Sequence, residues 1–296
     1  MDGLLVGVDL CDEYTQIHCP DEEKTWTIPT VICRNKYADE WYVGEEAFAH
    51  TLKGDGIIVD KLLNLALRDG TATLGDVRYG GKELLQLYLE RVLQLPKEEY
   101  KENEILRLVF AVKKLEPRMN TMLRDCGGKL GILPDQVQVI SHSEGFIYYI
   151  LSQKKEIWNN TVGMFDLSEV GLRYYEMKVQ RGMKKITVVA EYENLEEGFN
   201  LDILKTTSGS RLADRILTSC AERIMARKSY STIFLTGKGF TSQHWAAGLM
   251  KFLCNKRKVF MEQGLFAQGA ACRAAEDAQG RETPAFTCIC DGRLKT

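Results

Sequence analysis

Two aspartates stand at the ends of short apolar runs. Asp9 follows Leu4-Leu5-Val6-Gly7-Val8, and Asp166 follows Val162-Gly163-Met164-Phe165. A carboxylate in such a place either holds the water shell of a metal ion or simply forms the turn, and residue type leaves both readings open. More acid follows each of them: Asp12 and Glu13 after the first, Glu169 after the second. Carboxylates in turns are ordinarily solvated. The segment Thr236-Gly237-Lys238-Gly239-Phe240 carries two glycines spaced for a tight turn. The run Gly264 to Ala271 is rich in Gly and Ala, which suits a helix that crosses close to a neighbour. His142 and Glu144 stand just ahead of the apolar run Phe146-Ile147-Tyr148-Tyr149-Ile150, and histidine is the side chain that titrates near neutral pH. The chain has nine cysteines, scattered and with no CxxC pair. Cys288 and Cys290 enclose one residue, a spacing for an alternating strand rather than a zinc knuckle. Cys33, Cys126, Cys220 and Cys254 read as small buried hydrophobes, all thiols reduced in a cytoplasmic protein.

The elements that must position these residues follow from periodicity. The expected strands of the first half are Leu4 to Leu10, Tyr14 to Cys19, and Thr25 to Cys33 interrupted at Pro29. Tyr42 to Ala47 reads as a strand end turning into a short helix. A helix is expected at Lys82 to Leu95, where Leu84, Leu85, Tyr88, Leu89 and Val92 share one face. Then come a strand at Ile105 to Val112, a helix at Arg118 to Leu130, a strand at Gln136 to Ile140 and a helix at Glu144 to Leu151. The second half repeats the scheme. Strands at Val162 to Leu167, Leu172 to Gln180 and Ile186 to Tyr192 precede a helix at Leu212 to Met225. A strand at Ile233 to Leu235, a helix at Trp245 to Leu253, a strand at Lys258 to Met261 and a helix at Gly264 to Ala275 complete it. This is a duplicated α/β chain, divided into residues 1–155 and 156–296 at the polar stretch Gln153 to Asn160.

The charge is close to balanced, with 39 basic and 41 acidic residues, and hydrophobic residues make up 45%. No basic excess points to nucleic acid, and no apolar run approaches the roughly 20 residues of a membrane span. The N-terminus lacks the basic stretch and long apolar core of a signal peptide.

The order of motifs resembles the superfamily of actin, the heat-shock chaperone ATPases and the sugar kinases along nearly the whole chain. Leu5-Val6-Gly7-Val8-Asp9-Leu10 is similar to the family's first phosphate strand. Ile28-Pro29-Thr30-Val31 and Tyr42-Val43-Gly44-Glu45-Glu46-Ala47 resemble two signatures that follow it. Met164-Phe165-Asp166-Leu167 resembles the second phosphate strand, Phe234 to Phe240 the adenosine turn, and Gly264 to Ala271 the second hinge-crossing helix. The resemblance implies a duplicated actin-like ATPase fold, which is ribonuclease H-like, with ATP and magnesium as ligands. In that family two hairpin turns, one from each half, cradle the phosphates, and glycine lets backbone N–H groups approach them. The implied metal residues are Asp9 and Asp166. The implied nucleotide contacts are Cys11, Asp12, Lys61, Ser168, Gly171, Thr236, Gly237, Lys238, Gly239 and Phe240. His142 or Glu144 would take the place of the residue that orients the attacking water.

Both turns depart from the family pattern. The first, Asp9-Leu10-Cys11-Asp12-Glu13, has Cys11 where the glycine belongs. The second, Asp166 to Gly171, keeps one glycine of a run and places β-branched Val170 beside it. At an effective dielectric of about 20, each extra carboxylate 4 Å from a phosphate charge costs on the order of 4 kcal/mol. Asn194 to Ser210 is too short for the subdomain that the family inserts in its second half, so that half is expected to lack most of it. The sequence reads as a degenerate, bacterial-type member, more a scaffold or regulatory module that meets a protein partner than an ATPase. An active Mg-ATP switch using Asp9 and Asp166 is the alternative, and a small-molecule kinase the least favoured. The apolar run Ala285 to Ile289 suggests a further domain beyond Thr296.

Overall fold

The largely apolar run Leu4–Leu10 forms β1, a central strand buried on both faces. The structure is a computed structural model that describes residues 3–20, 22–102, 104–181, 186–242, 244–280 and 286–295. β1 turns into β2 (Tyr14–His18) and β3 (Thr25–Pro29), both antiparallel. The chain leaves β3 at Pro29, and the expected long strand resumes separately as β4 (Ile32–Asn35). β4 pairs with β5 (Trp41–Val43) and, beyond α1 (Glu45–Lys53), with β6 (Gly56–Val59). The short helix α2 (Leu62–Leu67) and the hairpin of β7 (Thr71–Leu74) and β8 (Val77–Gly80) follow. The amphipathic helix is α3 (Gly81–Val92), and its expected C-terminal turn belongs instead to α4 (Gln94–Tyr100). β9 (Ile105–Val112), α5 (Pro117–Lys129), β10 (Val137–Ser141) and α6 (His142–Ser152) complete this part. The main sheet runs β10-β9-β1-β2-β3, with β10, β9 and β1 parallel.

The second sheet is built on β11 (Thr161–Ser168), β12 (Gly171–Arg181) and β13 (Ile186–Leu195), an antiparallel meander. After residues 196–206 comes α7 (Thr207–Met225). It begins five residues earlier than periodicity indicates, because the Thr206 hydroxyl accepts the Gly209 amide at 3.1 Å and caps it. β14 (Tyr230–Thr236), α8 (Ala247–Leu253), β15 (Lys258–Met261) and α9 (Leu265–Ala278) follow. β16 (Phe286–Cys290) and β17 (Arg293–Lys295) end the described chain. The order is β15-β14-β11-β12-β13-β16-β17. Of the apolar run Ala285 to Ile289, Phe286 to Ile289 lie in β16, which pairs in parallel with β13, and Ala285 lies outside the described residues.

Contacts divide the chain into two compact units. One comprises Met1–Gly145 and Phe266–Arg281, the other Phe146–Leu265 and Glu282–Thr296. In the first, Val6, Val8 and Leu10 point into a core with Leu84, Leu85, Tyr88 and Phe110. The opposite face of β1 carries Gly7 and Asp9, and α9 lies on it. A Cβ on Gly7 would overlap the Ala267 carbonyl and the Ala271 amide, so the small residues of α9 let helix backbone rest on strand backbone. A Cβ on Gly269 would likewise overlap the Gly145 carbonyl of α6. In the second unit, Phe165, Leu167, Leu217, Leu235 and Phe240 share a core. At its margin Tyr174 donates to Tyr230 (2.7 Å), Tyr230 donates to Glu176 (2.6 Å), and Lys178 and Lys228 hold the same carboxylate at 2.7 and 2.8 Å. No helix among the described residues is long and apolar enough to cross a membrane.

Candidate functional site

The site residues of the first unit gather where β1 ends. Residues i and i+2 of a strand share a face, so Asp9 and Cys11 project to the side of β1 that α9 covers. The order β10-β9-β1 brings the end of β10 near the end of β1, and His142 is the first residue after β10. His142 Nε2 lies 2.7 Å from Asp9 Oδ1, and Cys11 Sγ donates to the same oxygen at 3.6 Å. All three side chains are buried, at 0, 2 and 1% exposure for Asp9, Cys11 and His142. The imidazole stacks on Phe266 of α9, with ring centres 3.8 Å apart and planes 12° from parallel. The Cys11 amide donates to the Tyr14 carbonyl at 3.0 Å and closes a two-residue hairpin over Asp12 and Glu13.

The two hairpin carboxylates are occupied by the protein. Asp12 Oδ1 accepts the Leu63 and Asn64 amides of α2 at 2.9 and 3.1 Å, which satisfies amides that a helix start leaves open. Burial raises the Asp12 pKa, and these hydrogen bonds only partly offset it. Glu13 pairs with Lys113 at 3.4 Å. Lys61 stands in a left-handed conformation (φ 51°) immediately ahead of α2, so it neighbours the turn that Asp12 anchors, with its side chain exposed.

The second unit carries a similar hairpin. Ser168 and Gly171 face each other across β11 and β12, enclosing Glu169 and Val170. Gly171 adopts φ 136°, and the Ser168 hydroxyl donates to its carbonyl at 3.4 Å. Asp166 is buried and lies in register with Thr236 on the parallel strand β14. Beyond Thr236 the chain turns at Gly237, with φ 90°. A Cβ there would sit 2.5 Å from the Leu167 carbonyl and 2.6 Å from Asp166 Oδ1, so only glycine fits. Lys238 pairs with Glu169. Gly239 packs on Leu167, and its carbonyl accepts the Trp245 indole N–H at 3.0 Å. Phe240 is fully buried against Trp245, with ring centres 5.9 Å apart.

A family model described as "Family of unknown function (DUF5716) C-terminal" matches residues 13–291. The chain belongs to that family. No curated protein matches it. Among the solved structures that do match is a non-polymerising mutant of MamK bound to AMPPNP, with a TM-score of 0.59 and 14% identity. The match covers 93% of this chain and 99% of that one. At that identity the likeness shows the fold alone, and the fold is actin-like.

The DUF5716 chain thus brings its sequence-selected residues together in two groups. Asp9, Cys11, Asp12, Lys61 and His142 gather in the first unit. Asp166, Ser168, Gly171 and Thr236 to Phe240 gather in the second. Within them the side chain of Phe240 is core and the carboxylate of Asp12 is a helix cap. Sequence reasoning gives Cys11 as a nucleotide contact standing where a glycine belongs and His142 as a candidate to orient the attacking water, and it does not join either to Asp9. Their convergence on Asp9 depends on the pairing of β10, β9 and β1, and an Asp-x-Cys strand end is the one local sign of it. Cys254, expected to be buried, is exposed. Cys126 and Cys220 are buried as expected, and burial pushes their thiols up to about 11 and about 12, which keeps them inert.

Proposed function

We propose that this DUF5716 chain is a degenerate, bacterial-type actin-like ATPase domain that serves as a non-catalytic scaffold or regulatory module, with little or no affinity for ATP. The observation that carries the reading is the state of the first turn. The Cys11 amide, which a phosphate would need, is spent on Tyr14, and the Asp9 carboxylate is buried against His142 and Cys11. These residues do not fit magnesium nucleotide. A hydrated magnesium ion demands oxygen ligands in near-octahedral geometry, and here sulfur and imidazole crowd the carboxylate. The extra acids weigh less than charge counting suggests, since Glu13 and Glu169 have lysine partners and Asp12 caps α2. In this reading the two similar sheets descend from a duplication into halves 1–155 and 156–296. The short connection at residues 196–206 stands where relatives insert a subdomain. The module works in the cytoplasm on a protein partner.

The alternative, an Mg-ATP switch using Asp9 and Asp166, is favoured by the likeness to a MamK structure bound to AMPPNP. Calorimetric titration of the purified chain with magnesium and a non-hydrolysable ATP analogue separates the two. The scaffold reading expects no saturable heat up to millimolar nucleotide from protein that melts cooperatively. Micromolar binding that Asp9→Ala abolishes would overturn it.

A further inference from the structure

The polar cluster at the end of β1 is a mixed donor set of sulfur, nitrogen and oxygen. One ligand atom each from Asp9, Cys11 and His142 lies within 4.8 Å of the other two, and no other trio of His, Cys, Asp or Glu among the described residues does so. Hydrogen bonding within the cluster leaves it under-satisfied. Asp9 Oδ2 and His142 Nδ1 are buried and have no hydrogen-bond partner among the described residues. A carboxylate oxygen in that position is costly unless a cation or donor meets it. Its residues are also held in place. The β1–β2 turn fixes Cys11, Phe266 fixes the plane of the imidazole, and β10 delivers His142 from two strands away.

We propose that Asp9, Cys11 and His142 bind a divalent transition-metal ion of the zinc class. Thiolate, imidazole and carboxylate together are the ligands of zinc, whereas magnesium takes oxygen alone. Zinc bonds of about 2.0–2.3 Å at tetrahedral angles put ligand atoms roughly 3.3–3.8 Å apart. The 3.6 Å from Cys11 Sγ to Asp9 Oδ1 is already of that size. The 2.7 Å from His142 Nε2 to Asp9 Oδ1 is a hydrogen bond that opens by roughly 0.6 Å to reach the same range. On binding, the thiol proton leaves to solvent, the imidazole coordinates as the neutral ring through Nε2, and its remaining proton resides on Nδ1. A water completes the fourth position. The inference stands apart from the ATP reading, because a chain that binds nucleotide but no zinc fails here and one that binds zinc but no nucleotide passes.

The test is cobalt titration of the chelator-stripped full chain. One cobalt per chain should bind with a thiolate-to-metal charge-transfer band in the near ultraviolet, and zinc should displace it. Cys11→Ser should lose the band, and His142→Asn should weaken binding at least tenfold. X-ray absorption of the wild-type zinc complex reads the ligands without any variant and should find one sulfur among nitrogen and oxygen. Cooperatively melting wild type that shows no band and no stoichiometric metal would overturn the proposal. So would a band that survives in Cys11→Ser, or a metal shell with no sulfur.

Discussion

Acidification should unlock the second unit at Glu176. Burial alone would push this carboxyl up, but hydrogen bonds from Lys178, Lys228 and Tyr230 outweigh it and hold the pKa at about 2, against an ordinary 4.5. The folded value lies below the unfolded one, so the stabilisation is full above about pH 4.5 and drains away as pH falls toward 2. A shift of that size is worth at most about 3.4 kcal/mol, and about 2 kcal/mol of it goes between pH 6 and pH 3. Solvent reaches both lysines, whose side chains are 56 and 44% exposed, so screening reduces the expected loss to about 1–2 kcal/mol. Hydrogen-exchange mass spectrometry on peptides from β12 and β14 reads it as lost protection. Wild type should lose that much more protection between pH 6 and pH 3 than Glu176→Gln, in which the titrating group is gone and every other carboxyl remains. Equal losses in the two proteins would refute the argument.

Two further perturbations test the first unit. Gly7→Ala should cost about 3 kcal/mol or more in chemical denaturation, since the new methyl meets helix backbone that cannot move aside; a change below 1 kcal/mol would mean that α9 does not rest on β1. His142→Ala should cost about 3–5 kcal/mol by leaving the Asp9 carboxylate buried without its partner, while Asp9→Asn with His142→Ala should recover part of the loss. Thermal melts of the three proteins read this, and no recovery in the double variant would refute the pairing.

Much of the fold was legible because burial alternates or repeats with a clear period. β1 and β9, each apolar except for a single charged residue, Asp9 and Arg107, were placed to the residue. Residues 56–80, which hold β6, α2 and the β7–β8 hairpin, went unassigned. Each of those elements is six residues or shorter, too brief for periodicity to speak, and α2 depends on Asp12, about fifty residues earlier, for its first amides. The helix at Lys82 to Leu95 was seen as one because its apolar face continues, yet Leu93 ends α3 and Pro96 sits in the first turn of α4, where a missing N–H costs nothing. The site followed the same rule. Strand-end aspartates announce themselves in sequence. What each one touches is decided by strand order, and no local pattern encodes the meeting of Asp9 with a histidine more than a hundred residues away.

The close seat of α9 on Gly7 also sets a schedule for synthesis. The strand leaves the ribosome about 255 residues ahead of the helix that covers it. At a translation rate of about 5–20 residues per second, the two are separated by roughly 15–50 s. For that interval one face of β1, with Asp9 and Cys11 on it, waits without its cover while the intervening chain is made. The nascent chain is thus open to aggregation, premature metal capture or chaperone binding at β1 until α9 emerges.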